Sequence, residues 1–186
     1  MELRDCSLAQ YSADLAARKA IPGGGAAAAL TAAQAAALAH MALIYSQGPD
    51  LAQLSQLEGL RLRFLDLMEA DAKAFLAWKE ASVEERDQAS CAAARVPLEL
   101  LEELGKLLRL IVSLRAQVKR FLYSDLLSAL ELGLAAFALG RANVLVNLRL
   151  LPPGLQARQE LEAALADCEL SLSSLRGEVE ATRAAF

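Results

Sequence analysis

The chain has 186 residues, of which 55% are hydrophobic and only 5% aromatic, so alanine and leucine dominate and helices are favoured over sheets. Its 19 basic and 23 acidic residues leave a formal net charge of −4, which argues against nucleic acid or an anionic membrane as a partner. Three scattered cysteines (Cys6, Cys91, Cys168) with no CxxC pair, and one histidine, argue against a disulfide framework and a zinc site, and the expectation is no bound metal.

The start, MELRDCSLAQYSADL, has no apolar signal core, and the cysteines read as free, mostly buried thiols of a reducing, cytoplasmic setting. Ser7 is placed to cap a first helix over about 8–18. The run KAIPGGGAAAAL (19–30) then places three glycines directly before an alanine-rich stretch. Either the glycines make a tight turn, or a ligand approaches their backbone closely. On the second reading, Pro22, Gly23, Gly24 and Gly25 belong to a site. At least one glycine then has φ > 0, and N–H groups at the start of the second helix hold an anion. No Gly-Lys-Ser/Thr follows, so a nucleotide triphosphate is not the expected ligand.

The second helix is expected from about Ala26 to Ser46, stopped by Gly48 and Pro49. Residues 26–45 carry no formal charge with His40 neutral, and they are long enough to span a bilayer. Weakly apolar alanine, the polar Thr31, Gln34 and His40, and the missing basic flank favour a buried bundle helix instead. A third helix follows over 51–80. A capping box, Ser82-Val83-Glu84-Glu85, opens a fourth, which Pro97 is expected to kink or break. Ser124 is placed to cap a fifth helix over about 125–149, and Pro152, Pro153 and Gly154 stop it. A sixth runs over about 155–184, with Gly177 inside it. The fold class read from this pattern is all-α, a single domain over 1–186 built as a bundle of five or six helices. The small-sided second helix and the apolar fifth suggest a symmetric dimer.

Three side chains stand out chemically. Asp125 begins the fifth helix among leucines: it is either a helix N-terminal acid or a carboxyl with a tuned pKa that moves protons. His40, the sole histidine, is either a packing residue or a proton carrier. Asp71 interrupts the apolar pattern of the third helix and reads as a solvated acid. Asn143 and Asn147 lie on or near the helix stripe that holds Asp125, but Asn143 is about 27 Å further along the axis, so the two ends form separate sites or the asparagines pair structurally.

Four segments together resemble the cyclodeaminase/cyclohydrolase family, meaning the C-terminal domain of formiminotransferase-cyclodeaminase and its stand-alone bacterial relatives. They are Ile21-Pro22-Gly23-Gly24-Gly25-Ala26-Ala27-Ala28, Asp71-Ala72-Lys73-Ala74-Phe75, Arg95-Val96-Pro97-Leu98-Glu99, and Tyr123-Ser124-Asp125 with Asn143-Val144-Leu145-Val146-Asn147-Leu148. The chain departs from the family pattern at Ala26, where serine is usual, at Pro49-Asp50, where a basic cluster is common, and over 118–122.

The resemblance implies an all-helical homodimer acting on a tetrahydrofolate derivative as substrate, with no covalently bound cofactor. Members convert 5-formiminotetrahydrofolate to 5,10-methenyltetrahydrofolate with loss of ammonia, or hydrolyse the methenyl form to 10-formyltetrahydrofolate. It also implies Asp125 as the acid of the Ser124-Asp125 motif and the glycine turn beside the folate; His40, by its own chemistry as the sole histidine, is the reserve candidate. The reading from another class is a non-catalytic helical dimer that binds a small anion or a protein partner.

Overall fold

The computed structural model describes residues 2–46 and 50–185. Among these the chain is all-α, with seven α-helices and no strand: α1 (Leu8–Ala16), α2 (Gly24–Ile44), α3 (Leu51–Glu80), α4 (Arg86–Ser113), α5 (Tyr123–Leu148), α6 (Gln156–Ser174) and α7 (Arg176–Arg183). The expected stop at Gly48 and Pro49 lies outside the described residues.

The helix starts follow local chemistry. Ser7 Oγ accepts the Gln10 N–H at 3.1 Å, and an Asp50 carboxylate oxygen accepts the Ala52 N–H at 2.8 Å. Ser82 and Glu85 exchange the hydrogen bonds of a capping box, and α4 begins at the next residue. Ser124 departs from expectation. A 3₁₀ turn over Arg120–Leu122 leads straight into α5, so Ser124 lies inside the first turn rather than at the cap.

α2 is the axis of the bundle. Nine of its alanines, from Ala26 to Ala42, are buried, so α3 and α5 approach it from two sides. By length and composition α2 and the segment Arg120–Leu148 are each long and apolar enough to cross a membrane; the nine alanines of α2 are buried against the rest of the fold. α4 closes the layer against α3 and α5, and its Leu100, Leu101, Leu104, Leu107, Leu108 and Ile111 meet Phe64 and Leu67 of α3 in a fully enclosed core. Consecutive long helices run antiparallel. The N-terminal end of α2, the C-terminal half of α3, the start of α4 and the end of α5 therefore converge at one end of the bundle.

Two expectations are revised, each for a tertiary reason. Of the kink or break expected at Pro97, the break does not occur, and α4 runs through it. Proline has no N–H to give the Ala93 carbonyl one turn back, and Asn147 of α5 supplies the donor, Nδ2 to Ala93 O at 2.9 Å. The last predicted helix is two, not one, which brings the total to seven. The break falls at Leu175, ahead of Gly177. Turning there buries Val179 and Thr182 and brings Arg183 onto Glu131 through two hydrogen bonds, 2.7 and 2.9 Å. The three cysteines are free; only Cys168 is buried.

Candidate functional site

At the converging end lies a cavity of about 480 Å³. The loop Lys19–Gly23, whose Ile21–Pro22 peptide is cis, forms one wall together with the first turn of α2. Asp71, Phe75 and Trp78 of α3 form a second wall, and Asn143, Val146 and Asn147 of α5 a third. A volume of this order holds a small organic molecule.

The glycines answer to Asp71. Gly23 is the extended residue before α2, with φ −127° and ψ −164°, and Gly24 and Gly25 are the first two residues of the helix. None of the three has the positive φ expected of them. The requirement is space: a Cβ on Gly25 would lie 2.0 Å from Asp71 Oδ1 and 2.5 Å from its Cγ. One on Gly24 would make ordinary contact with the Asn143 amide, and one on Gly23 would meet nothing. Gly25 is thus the notch into which α3 presses a carboxylate.

Asp71 is therefore not the solvated acid expected from its helix. Burial pushes its carboxyl above the ordinary carboxylate value, and a hydrogen bond from the Ala26 N–H opposes that without cancelling it. Gly23 has no side chain to cap α2, so the carboxylate from α3 fills the cap position. The anion expected at this helix start is a residue of the protein itself.

Trp78 is held from three directions. Its Nε1 donates to Ser90 Oγ at 3.1 Å, its carbonyl accepts from Arg86 Nη1 at 3.1 Å, and the Arg86 guanidinium stacks over the ring at 5.2 Å. Phe75 lies 5.9 Å from it, tilted by 34°. Together they give the cavity a fixed aromatic wall. Lys19 is the one cation among the cavity-lining described residues, and Asp14 holds its ammonium.

Of the residues singled out from sequence, Pro22, Gly23, Gly24 and Gly25 line this cavity. Asp125 and Ser124 do not; they start α5, about 33 Å along the helix from Asn147. His40 is half-buried on α2, about 24 Å along the axis from Gly24, close enough to Glu58 of α3 to favour its anion alongside the Arg61 hydrogen bonds. Asp71, Asn143 and Asn147 were noted in the sequence but not assigned to this site, and Trp78 was not singled out. Asp71 carried a signal: with Phe64, Met68, Phe75 and Trp78 it shares the inward face of α3, where an acid needs a reason.

A family model described as formiminotransferase-cyclodeaminase matches residues 7–166. The formimidoyltransferase-cyclodeaminase of Rattus norvegicus is 30% identical over 211 residues, covering 97% of this chain and 38% of the rat protein. That of Mus musculus is 34% identical over 174 residues, covering 79% of this chain and 31% of the mouse protein. The chain thus spans about a third of the length of these relatives. The crystal structure of formiminotetrahydrofolate cyclodeaminase from Thermotoga maritima superposes with a TM-score of 0.87 at 26% identity, covering 97% of both chains. With a match through most of its helices and a shared architecture along nearly its whole length, the chain belongs to the formiminotransferase-cyclodeaminase family.

Proposed function

We propose that the chain is a folate-dependent enzyme of one-carbon metabolism. It closes 5-formiminotetrahydrofolate to 5,10-methenyltetrahydrofolate with release of ammonia, hydrolyses the methenyl form to 10-formyltetrahydrofolate, or does both. The carrying observation is Asp71, a carboxyl of raised pKa held in the Gly25 notch beside a cavity with an aromatic wall. Each reaction passes through a tetrahedral carbon and moves a proton between a nitrogen and the attacking or departing group. A carboxyl whose pKa is raised by burial is suited to take that proton and return it. Phe75 and Trp78 are suited to lie against the planar rings of a folate. Three free thiols fit a reducing cytoplasm.

The test is the absorbance of methenyltetrahydrofolate followed with and without the protein; no acceleration of its hydrolysis or of its formation from the formimino compound ends the proposal. Trp78→Ala is expected to raise KM about 2- to 10-fold, the range of one aromatic contact, with a smaller change in kcat. Equal KM in variant and parent would remove the aromatic wall from substrate binding. The non-catalytic reading has less support, because Asp71 occupies the helix start that a small anion would need.

The reading includes a homodimer. Asp125, Leu132, Leu139, Val146 and Leu150 follow one stripe near α5, and Leu139, Val146 and Leu150 are 44%, 57% and 45% exposed. Leu132 also meets Leu38 and Met41 of α2 in a shallow apolar groove. Two copies packed antiparallel along this stripe, with the two-fold between Leu132 and Leu139, bring the partner's Asp125 to Val146 at the cavity. Ser124 and Asp125 then join the site from the second subunit. Asp125→Asn and Asp71→Asn chains, each inactive alone, are expected to regain about one quarter of parental activity when mixed dimers form. No recovery, or a solution mass of 19.9 kDa, would remove the shared site.

A further inference from the structure

Tyr11 is the buried residue of α1, 8% exposed, with its ring in the core. Its phenolic oxygen is enclosed and has no hydrogen-bond partner among the described residues. Phenylalanine would fill the same space without leaving a buried hydroxyl unpaired, so packing alone does not account for the oxygen. The N-terminal segment is pinned where Tyr11 needs it. The Arg4 N–H donates to Glu69 Oε1 and Arg4 Nη2 to Asp66 Oδ1, each at 2.8 Å, which fastens the segment to α3 just before Asp71.

Asp71 is the complementary group. A carboxylate has room for several donors, and the one given to Asp71 is the Ala26 N–H. The two groups sense each other: burial pushes the Tyr11 phenol up, and the charge of Asp71 adds to that. Charged groups on the neighbouring segments are paired with one another. Glu69 and Asp66 are taken by Arg4, and Lys19 by Asp14. The first turn of α2 has no charged side chain, and the α5 residue beside Gly24 is the neutral Asn143, whose Nδ2 donates to Leu139 O. A buried, unpaired donor thus lies within electrostatic reach of a carboxylate with acceptor capacity to spare.

We propose that Tyr11 is a positioning residue for Asp71. Its O–H donates across one water toward the carboxylate oxygen that Ala26 does not hold, and so fixes which oxygen faces the cavity. The inference rests on Asp71 as the proton carrier. Its test is Tyr11→Phe, which keeps the ring and removes the O–H. Loss of a donor to the anion raises a carboxyl pKa further, so the limb of the pH–rate profile that Asp71 sets moves to higher pH. Turnover at neutral pH falls about tenfold, the worth of one net hydrogen bond, while KM stays near the parental value.

Two readouts do not depend on activity. The carboxyl ¹³C resonance of Asp71 titrates at higher pH in Tyr11→Phe than in the parent. Conversely, Asp71→Asn removes the charge and brings the Tyr11 phenol down in an ultraviolet titration; this holds even if Tyr11→Phe fails to fold. A Tyr11→Phe protein that melts higher than the parent, with both titrations and the pH–rate profile unmoved, would make Tyr11 a packing residue and overturn the inference. Parental activity in Asp71→Asn would instead overturn the proton-carrier reading, and the two titrations would still decide whether Tyr11 serves Asp71.

Discussion

Gly25→Ala is expected to reduce turnover by about 10²- to 10³-fold while the protein still folds. The backbone at residue 25 is ordinary helix, so alanine suits it locally and is the better helix former. What it cannot have is the room. A methyl group there would lie 2.0 Å from Asp71 Oδ1 and 2.5 Å from Cγ, well inside contact distance. Asp71 has a short side chain, so the clash is relieved only by turning the whole carboxylate to another rotamer or by parting α2 from α3. Turning it breaks the hydrogen bond from Ala26 and takes the acid off the cavity wall. Overpacking of this kind costs about 1–3 kcal/mol, less the helix propensity regained. The neighbours supply the controls: Gly23→Ala and Gly24→Ala meet open space and ordinary contact, and both are expected to keep most of the activity. Equal losses at all three positions would mean that backbone freedom matters, and that the notch does not.

The helices were legible because their signals are local. Ser7, Asp50 and the Ser82–Glu85 box cap the helices that follow them, and α3 fills its expected span from Leu51 to Glu80. Pro97 was misleading because the local rule assumes that an orphaned carbonyl stays orphaned; here a side chain 54 residues away satisfies it. The break at Leu175 had no proline or glycine to announce it, since it is driven by the burial of Val179 and Thr182 and the reach of Arg183 to Glu131. Half of the candidate site was legible for the same reason. Three glycines in a row are conspicuous whatever they do. Asp71 stood out as a break in the apolar pattern of α3 but read as a solvated acid, because its counterpart is a missing Cβ on another helix. Asp125 drew notice through its apolar neighbours, yet α5 carries it to the far end of the bundle from the cavity.

Asp71→Asn is expected to make the protein more stable and far less active. The carboxyl has a folded pKa above its ordinary value of 3.8, with burial as the main cause. The folded state therefore binds the proton more tightly than the unfolded chain. Stability from this group is fully present below the unfolded pKa and is lost as pH rises through the folded one, so at neutral pH the buried charge works against folding. Asparagine keeps the shape and an oxygen to accept the Ala26 N–H, and it leaves no charge to bury. The variant should melt above the parent at neutral pH, and the difference should vanish in acid, where both side chains are neutral. The rate should fall by about 10²- to 10⁴-fold, the usual worth of a general acid or base. A structural acid predicts the opposite pairing, with activity kept and stability lost along with the helix cap. Thermal melts across pH, set beside turnover of methenyltetrahydrofolate, separate the two: opposite movements in stability and rate identify a group kept at a cost to folding because the chemistry needs it, while parental turnover in the variant would exclude Asp71 from the reaction.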